Sequence, residues 1–128
     1  MATKWERIAS NCAEELHKES AEWHWGIRRI NDDHGKMIAL CYYSHHPRGR
    51  DAFLRRRNEE IVQLRNWMQT GGLRELAFKS YRPRGSKGAG GTFALLIEVS
   101  KERYDSVSRR LRSFVERSIA TLVEPPMN

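Results

Sequence analysis

An unbroken apolar run of strand length, bounded by turn signals, has to be buried in a sheet, and this chain carries such a run. "KMIALCYY" (residues 36–43) is preceded by the turn composition "NDDHG" and ended by "SHHPRGR", which places it as a strand in the middle of a sheet. Two further segments are read as its sheet partners. "LRELAFKSYR" (73–82) alternates, with Leu76 and Phe78 on one face and Lys79 and Tyr81 on the other. "TFALLIEVS" (92–100) puts Phe93, Leu95, Ile97 and Val99 on one face. Between these two lies the glycine-rich basic loop "PRGSKGAGG" (83–91).

The rest of the chain has helical period. Trp5, Ile8, Cys12 and Leu16 recur at helical spacing over residues 4–18, and Thr3 with Glu6 forms a capping box. A second short helical piece is expected from Ser20 to Trp25, stopping at Gly26. Residues 51–68 form a helix with Phe53, Leu54, Ile61, Leu64 and Met68 buried, stopped by "TGG". The longest helix is expected over 101–124, with Tyr104, Val107, Leu111, Phe114, Ser118 and Leu122 on its apolar stripe, Ser100 as N-cap, and Pro125 and Pro126 ending it. The order helix-strand-helix-strand-strand-helix defines an α+β fold: a small, mostly antiparallel sheet with helices on one face. A three-stranded sheet whose last strand is apolar has an exposed edge; pairing that edge with a second copy predicts a homodimer with a continuous sheet. The 128 residues suit a single domain, with residues 1–30 as an N-terminal helical part and 31–128 as the α+β core.

Charge is the feature that bears most on partners. The formal net charge is +7, which points toward nucleic acid or an anionic surface. Residues 1–30 carry five basic and five acidic side chains and residues 31–128 carry eighteen against eleven, so the excess belongs to the later elements. No apolar run approaches the roughly 18 residues of a membrane span, and "MATKWERIAS" lacks the apolar core of a signal peptide. The expected setting is a reducing compartment, with Cys12 and Cys41 as small core residues.

Catalytic constellations are weak. His17, His24, His34, His45 and His46 are scattered; the adjacent pair His45-His46 points opposite ways on an extended chain, and all five are read as solvated loop residues rather than metal ligands. No CxxC or HExxH pattern occurs. Asp32-Asp33-His34 is a turn sequence with no second carboxylate cluster to make a nuclease. "GSKGAGG" leads into a strand, not a helix, so it fails as a P-loop. The expectation is a non-enzyme without metal or cofactor. Nucleic-acid binding has the best support: Lys36, Lys79, Arg82, Arg84 and Lys87 flank the strands, and Lys101, Arg103, Arg109, Arg110 and Arg112 decorate the last helix. A-form RNA is read by shape through its shallow minor groove and phosphates, and a sheet with cations suits that. The pair Trp23 and Trp25 in "EWHWG" is then read as a platform on which one ring is core and the other stacks on a duplex end.

Three stretches in this order resemble a known family. "SAEWHWGIRRIND" (20–32), "HGKMIALCYY" (34–43) and "LLIEVSKERYDSVSRRL" (95–111) are similar to the tombusvirus-type suppressors of RNA silencing, and more closely to their smaller aureusvirus relatives. The tryptophans here are two apart where the family's are three apart, and the middle strands do not align through "RPRGSKGAGG". The resemblance implies a viral protein of the host cytoplasm that binds double-stranded RNA, including small interfering duplexes, as a homodimer. It implies duplex-end stacking by Trp23 and Trp25, a phosphate contact from Lys36, an RNA contact from Ser100, and pairing of the last strand across the dimer. Trp25-Gly26 also matches the dipeptide of an Argonaute hook. The competing expectations are a general nucleic-acid-binding module with no preference for duplex RNA, a small enzyme, and a basic adaptor for an acidic protein.

Overall fold

The structure is a computed structural model and describes residues 3–18, 22–32, 34–83 and 89–120. The chain is α+β, as expected. Its elements are α1 (Lys4–His17), β1 (His24–Asn31), β2 (Ile38–Arg48), α2 (Arg50–Thr70), β3 (Arg74–Tyr81), β4 (Ala89–Val99), a 3-10 turn (Lys101–Arg103), α3 (Tyr104–Phe114) and a π-helical turn (Val115–Ile119). The four strands form one antiparallel sheet in the order β1-β2-β4-β3.

Three expectations about the sheet change. The first concerns "HWGIRRIN", which is edge strand β1 and not the tail of a helix. Extended chain puts side chains i and i+2 on the same face, so Trp25 and Ile27 both pack into the core beneath α2 and α3, while Ile30 packs on the α1 side. Gly26 is where the β2 neighbour Tyr43 lies over β1: a Cβ there would sit 2.2 Å from the Tyr43 hydroxyl. The second concerns β2, which continues through "SHHPR" instead of ending at Tyr43. β1 stops pairing at His24↔His45, so Pro47 lies past the end of that neighbour, where its missing N–H breaks no ladder bond. The third concerns β4, which is interior: β2 and β3 occupy its two edges. Its apolar character is that of a central strand covered on both faces, and the edge expected for a second copy is taken by β3 along Thr92–Glu98.

Helices cover both faces, not one. α1 lies across β3, β4 and β2, burying Ala9, Cys12, Ala13 and Leu16 against Ala39, Cys41, Ala77, Ala94 and Leu96. The small residues at these positions let helix and sheet approach closely. The expected capping box fixes the start of α1: Thr3 Oγ1 accepts from the Glu6 N–H at 3.1 Å, and Glu6 Oε1 accepts from the Thr3 N–H at 3.5 Å. On the other face Phe93, Leu95, Ile97 and Val99, aligned as expected, meet Phe53, Ile61, Leu64 and Met68 of α2 and Val107 and Leu111 of α3. A β-bulge between Glu75 and Ala77 separates Leu76, on the α1 side, from Phe78, on the α2 side. Strict alternation placed them together; the extra residue shifts the register by one.

The π turn has the same kind of effect on the last helix. Its wider winding moves the buried stripe from the expected Phe114 and Ser118 to Val115 and Ile119. Leu122 and the end of that predicted helix lie outside the described residues.

One buried polar network joins α2 to the sheet. The Glu60 carboxylate is fully buried and accepts from the Tyr42 hydroxyl (2.7 Å), from the Ser44 hydroxyl (3.3 Å) and from His46 Nε2 (2.6 Å). His45 turns the other way, toward His17, His24 and the Thr92 hydroxyl at 2.8 Å. The two histidines do point to opposite faces, but both are buried in β2, not solvated in a loop.

Candidate nucleic-acid interface

Three described arginines lie on the outer face of α3 and its π turn. The inner stripe Val107, Leu111, Val115, Ile119 is fixed by the core, so residues on the opposite side face water. Ser106, Arg109, Arg110, Ser113 and Arg117, at offsets of 3, 4, 7 and 11 from the first, are all exposed and line one open groove of about 470 Å³. Arg117 Nε donates to the Ser113 carbonyl at 3.2 Å, which lays its guanidinium back along the helix. At 1.5 Å per residue the row spans about 16 Å. Its described lining consists of guanidiniums and hydroxyls, without a carboxylate. Such a row is complementary to a succession of phosphates: guanidiniums bind them in charge-assisted pairs and hydroxyls add short hydrogen bonds.

Two more arginines fix this helix to the sheet. The Arg112 guanidinium lies 5.4 Å over the Trp25 ring, and Trp25 in turn stacks on Tyr42 at 6.3 Å and 28°. The Arg29 guanidinium lies 5.1 Å over Tyr104. Cation–π contacts of this kind tie the rim of β1 to α3.

The residues singled out from sequence do not converge. Trp25 is half-buried against the core, with the Arg112 guanidinium 5.4 Å from its ring centre and Tyr42 stacked beside it. The same placement puts Trp25-Gly26 inside a folded strand. Trp23 lies just before β1, half-buried, 6.2 Å from His46, with its indole N–H buried and without an acceptor among the described residues. Both rings are near the same sheet face, because the segment is extended and not helical.

Lys36 is exposed in the turn between β1 and β2, where its backbone N–H donates to Asp32 Oδ1 at 2.8 Å. Asp32 thus has a turn role; Asp33 lies outside the described residues. Ser100 is exposed at the same end of the sheet, heading the 3-10 turn, but its side chain makes no capping bond. Lys79 pairs with Glu6 at 3.2 Å, tying β3 to α1. Arg82 follows β3 at the far end of the sheet. Arg84 and Lys87 lie outside the described residues. From Gly91, beside Arg82, to Ser100 is roughly 30 Å of strand, so the predicted set splits between two ends.

Arg109 and Arg110 were legible as candidates. Ser106, Ser113 and Arg117 were missed, although their helical spacing opposite the apolar stripe was visible in the sequence.

The buried Ser44, His46 and Glu60 do not form a hydrolytic triad. Ser44 Oγ (3.0 Å) and Glu60 both crowd Nε2 of His46, whereas a triad sets the acid on the opposite ring nitrogen. Among the described residues no group of three or more His, Cys, Asp or Glu is arranged to hold a metal ion. No described helix is long and apolar enough to cross a membrane. In comparisons with protein-family models, with curated proteins and with solved structures, nothing matches this chain.

Proposed function

We propose that this protein is a non-enzymatic binder of double-stranded RNA that recognises shape and charge rather than sequence. The observation that carries the reading is the row Ser106, Arg109, Arg110, Ser113 and Arg117 on the exposed face of α3. Lys101 and Arg103 precede it, exposed at the same end of the sheet as Lys36 and Ser100. Counterion release on phosphate neutralisation supplies the affinity, and the shallow minor groove of an A-form duplex admits a helix face carrying hydroxyls. The docking element is the last helix, since both faces of the sheet are covered. The resemblance to tombusvirus- and aureusvirus-type silencing suppressors supplies the biological setting: sequestration of small interfering duplexes in the host cytoplasm. That setting rests on the quoted stretches alone. A homodimer within this proposal forms through an edge strand, β1 or β3.

The test is salt-titrated binding of a labelled RNA duplex to the wild type and to R109Q/R110Q/R117Q. Each phosphate neutralised contributes about 0.9 to the slope of log affinity against log salt, so the triple substitution lowers the slope by about 2.7. An unchanged slope refutes the helix face as the docking element.

A further inference from the structure

Within the α3 row, Ser113 has arginines on both sides along the helix. Arg109 and Arg110 precede it by four and three positions, and Arg117 follows it by four. Residues three and four apart are neighbours on a helix surface, so the exposed Ser113 hydroxyl shares its groove with all three side chains. The bond from Arg117 Nε to the Ser113 carbonyl, at 3.2 Å, holds that guanidinium beside the serine. Arg112, next to Ser113 in the chain, is turned toward the Trp25 ring instead. Ser113 is also the last residue but one of α3 before the π turn at Val115, and interruptions of this kind recur at functional sites.

We propose that Ser113 is a phosphorylation site, modified by an arginine-directed serine kinase, and that its phosphate closes the α3 groove to polyanions. The closing effect rests on the reading of α3 as the RNA-docking face; the modification site does not. Arg110 and Arg109, on the N-terminal side of the serine, are the cations that carboxylates in the kinase's substrate cleft would pair with.

The phosphoryl donor is a magnesium-bound nucleoside triphosphate. Ser113 Oγ attacks the γ-phosphorus. The new O–P bond forms, and the bond from that phosphorus to the β,γ-bridging oxygen breaks. The nucleoside diphosphate leaves with the electron pair, and the hydroxyl proton passes to the kinase's catalytic carboxylate. The product carries about −1.5 to −2 near neutrality and three acceptor oxygens. Those oxygens meet the guanidiniums of Arg109, Arg110 and Arg117 in charge-assisted pairs within the chain. A nucleic-acid phosphate then finds an anion already in its place. At about 0.9 per phosphate, the slope of log affinity against log salt falls by about 1.4–1.8. At about 0.15 M salt that is an affinity about 15–30-fold lower.

The experiment treats the folded wild-type chain with magnesium ATP and the catalytic fragment of protein kinase C, an arginine-directed serine kinase. Intact mass and peptide sequencing locate the product. The expected result is one phosphoryl group, on Ser113, and its loss in S113A. The phosphorus resonance of the modified chain then follows the second ionisation of the phosphate. Its midpoint is expected below the ordinary value of about 6, returning to it in R109Q/R110Q/R117Q with phosphoserine incorporated at position 113 during synthesis. Duplex-RNA affinity is expected to fall about 15–30-fold on phosphorylation. An unmodified chain overturns the site, as does phosphate on other serines with Ser113 untouched. A midpoint of about 6 in the wild type overturns the arginine clamp. Equal RNA affinity before and after modification overturns the switch. If the unmodified chain binds no RNA, the docking face falls instead, and mass and phosphorus resonance still decide the site.

Discussion

Replacing Glu60 with alanine is expected to loosen α2 from the sheet. The carboxylate accepts from three side chains of β2 at 2.7, 3.3 and 2.6 Å: Tyr42, Ser44 and His46. All four groups are buried. Nε2 of His46 lies 2.6 Å from the carboxylate, and with the hydrogen assigned to that nitrogen His46 is the donor. Burial, and then the Glu60 charge, push the Tyr42 hydroxyl well above the ordinary tyrosine range, so it too remains a donor. Each buried donor left without an acceptor costs about 1–3 kcal/mol. Ser44 and His46 stay within 3.0 Å of each other and share part of that loss, which brings the total to about 3–5 kcal/mol, the range for breaking a buried charged contact. A domain of this size has about 5–15 kcal/mol in all. At roughly 4 °C per kcal/mol the melting temperature falls by about 12–20 °C. Glu60→Gln keeps an acceptor for Tyr42 but sets an amide against the His46 donor, and is expected to cost about half as much. Urea unfolding followed by far-UV circular dichroism measures both, with the slope unchanged if the fold is intact. A Glu60→Ala chain within about 0.5 kcal/mol of wild type refutes the network as the tie between α2 and β2.

Trp25→Ala removes the ring between Tyr42 and Arg112, and costs about 2–3 kcal/mol in the same assay, somewhat less than a fully buried aromatic; Trp23→Ala costs less, having no such sandwich. Gly90→Ala would put a Cβ 1.6 Å from the His46 carbonyl oxygen, forcing the β2 and β4 backbones apart at a cost of about 3 kcal/mol, read as a lowered urea midpoint. Burial holds the His17 imidazole below its ordinary value of 6.5, so the unfolded chain binds that proton more tightly. The His17 contribution is therefore complete above pH 6.5 and is lost as the pH falls below it. Urea midpoints between pH 7.5 and 5.5 should decline more steeply for the wild type than for His17→Gln.

Elements with one dominant period were legible in the sequence. α1, α2 and the run Phe93 to Val99 each repeat apolar residues at a single spacing, and each lies where that spacing placed it. β1 was not legible, because an edge strand has fewer apolar positions, and Gly26 reads as a helix stop unless Tyr43 is known to lie against it. The polar half of β2 escaped because the partners of Ser44, His45 and His46 are Glu60 and Thr92, distant in sequence. The bulge at Leu76 and the π turn at Val115 each shift a register by about one residue, which periodicity does not register. The arginines of α3 were visible as charges. That three of them share a groove with two serines follows only once the core has fixed the inner stripe of the helix.

Duplex-RNA binding is tested by equilibrium titration at physiological salt with a short RNA duplex, a DNA duplex of the same sequence and the single-stranded RNA. The expected result is tight binding to the RNA duplex, clearly above the other two, and loss of that binding in R109Q/R110Q/R117Q. Equal affinity for all three would reduce the protein to a general polyanion binder, and absence of binding would refute the proposed function.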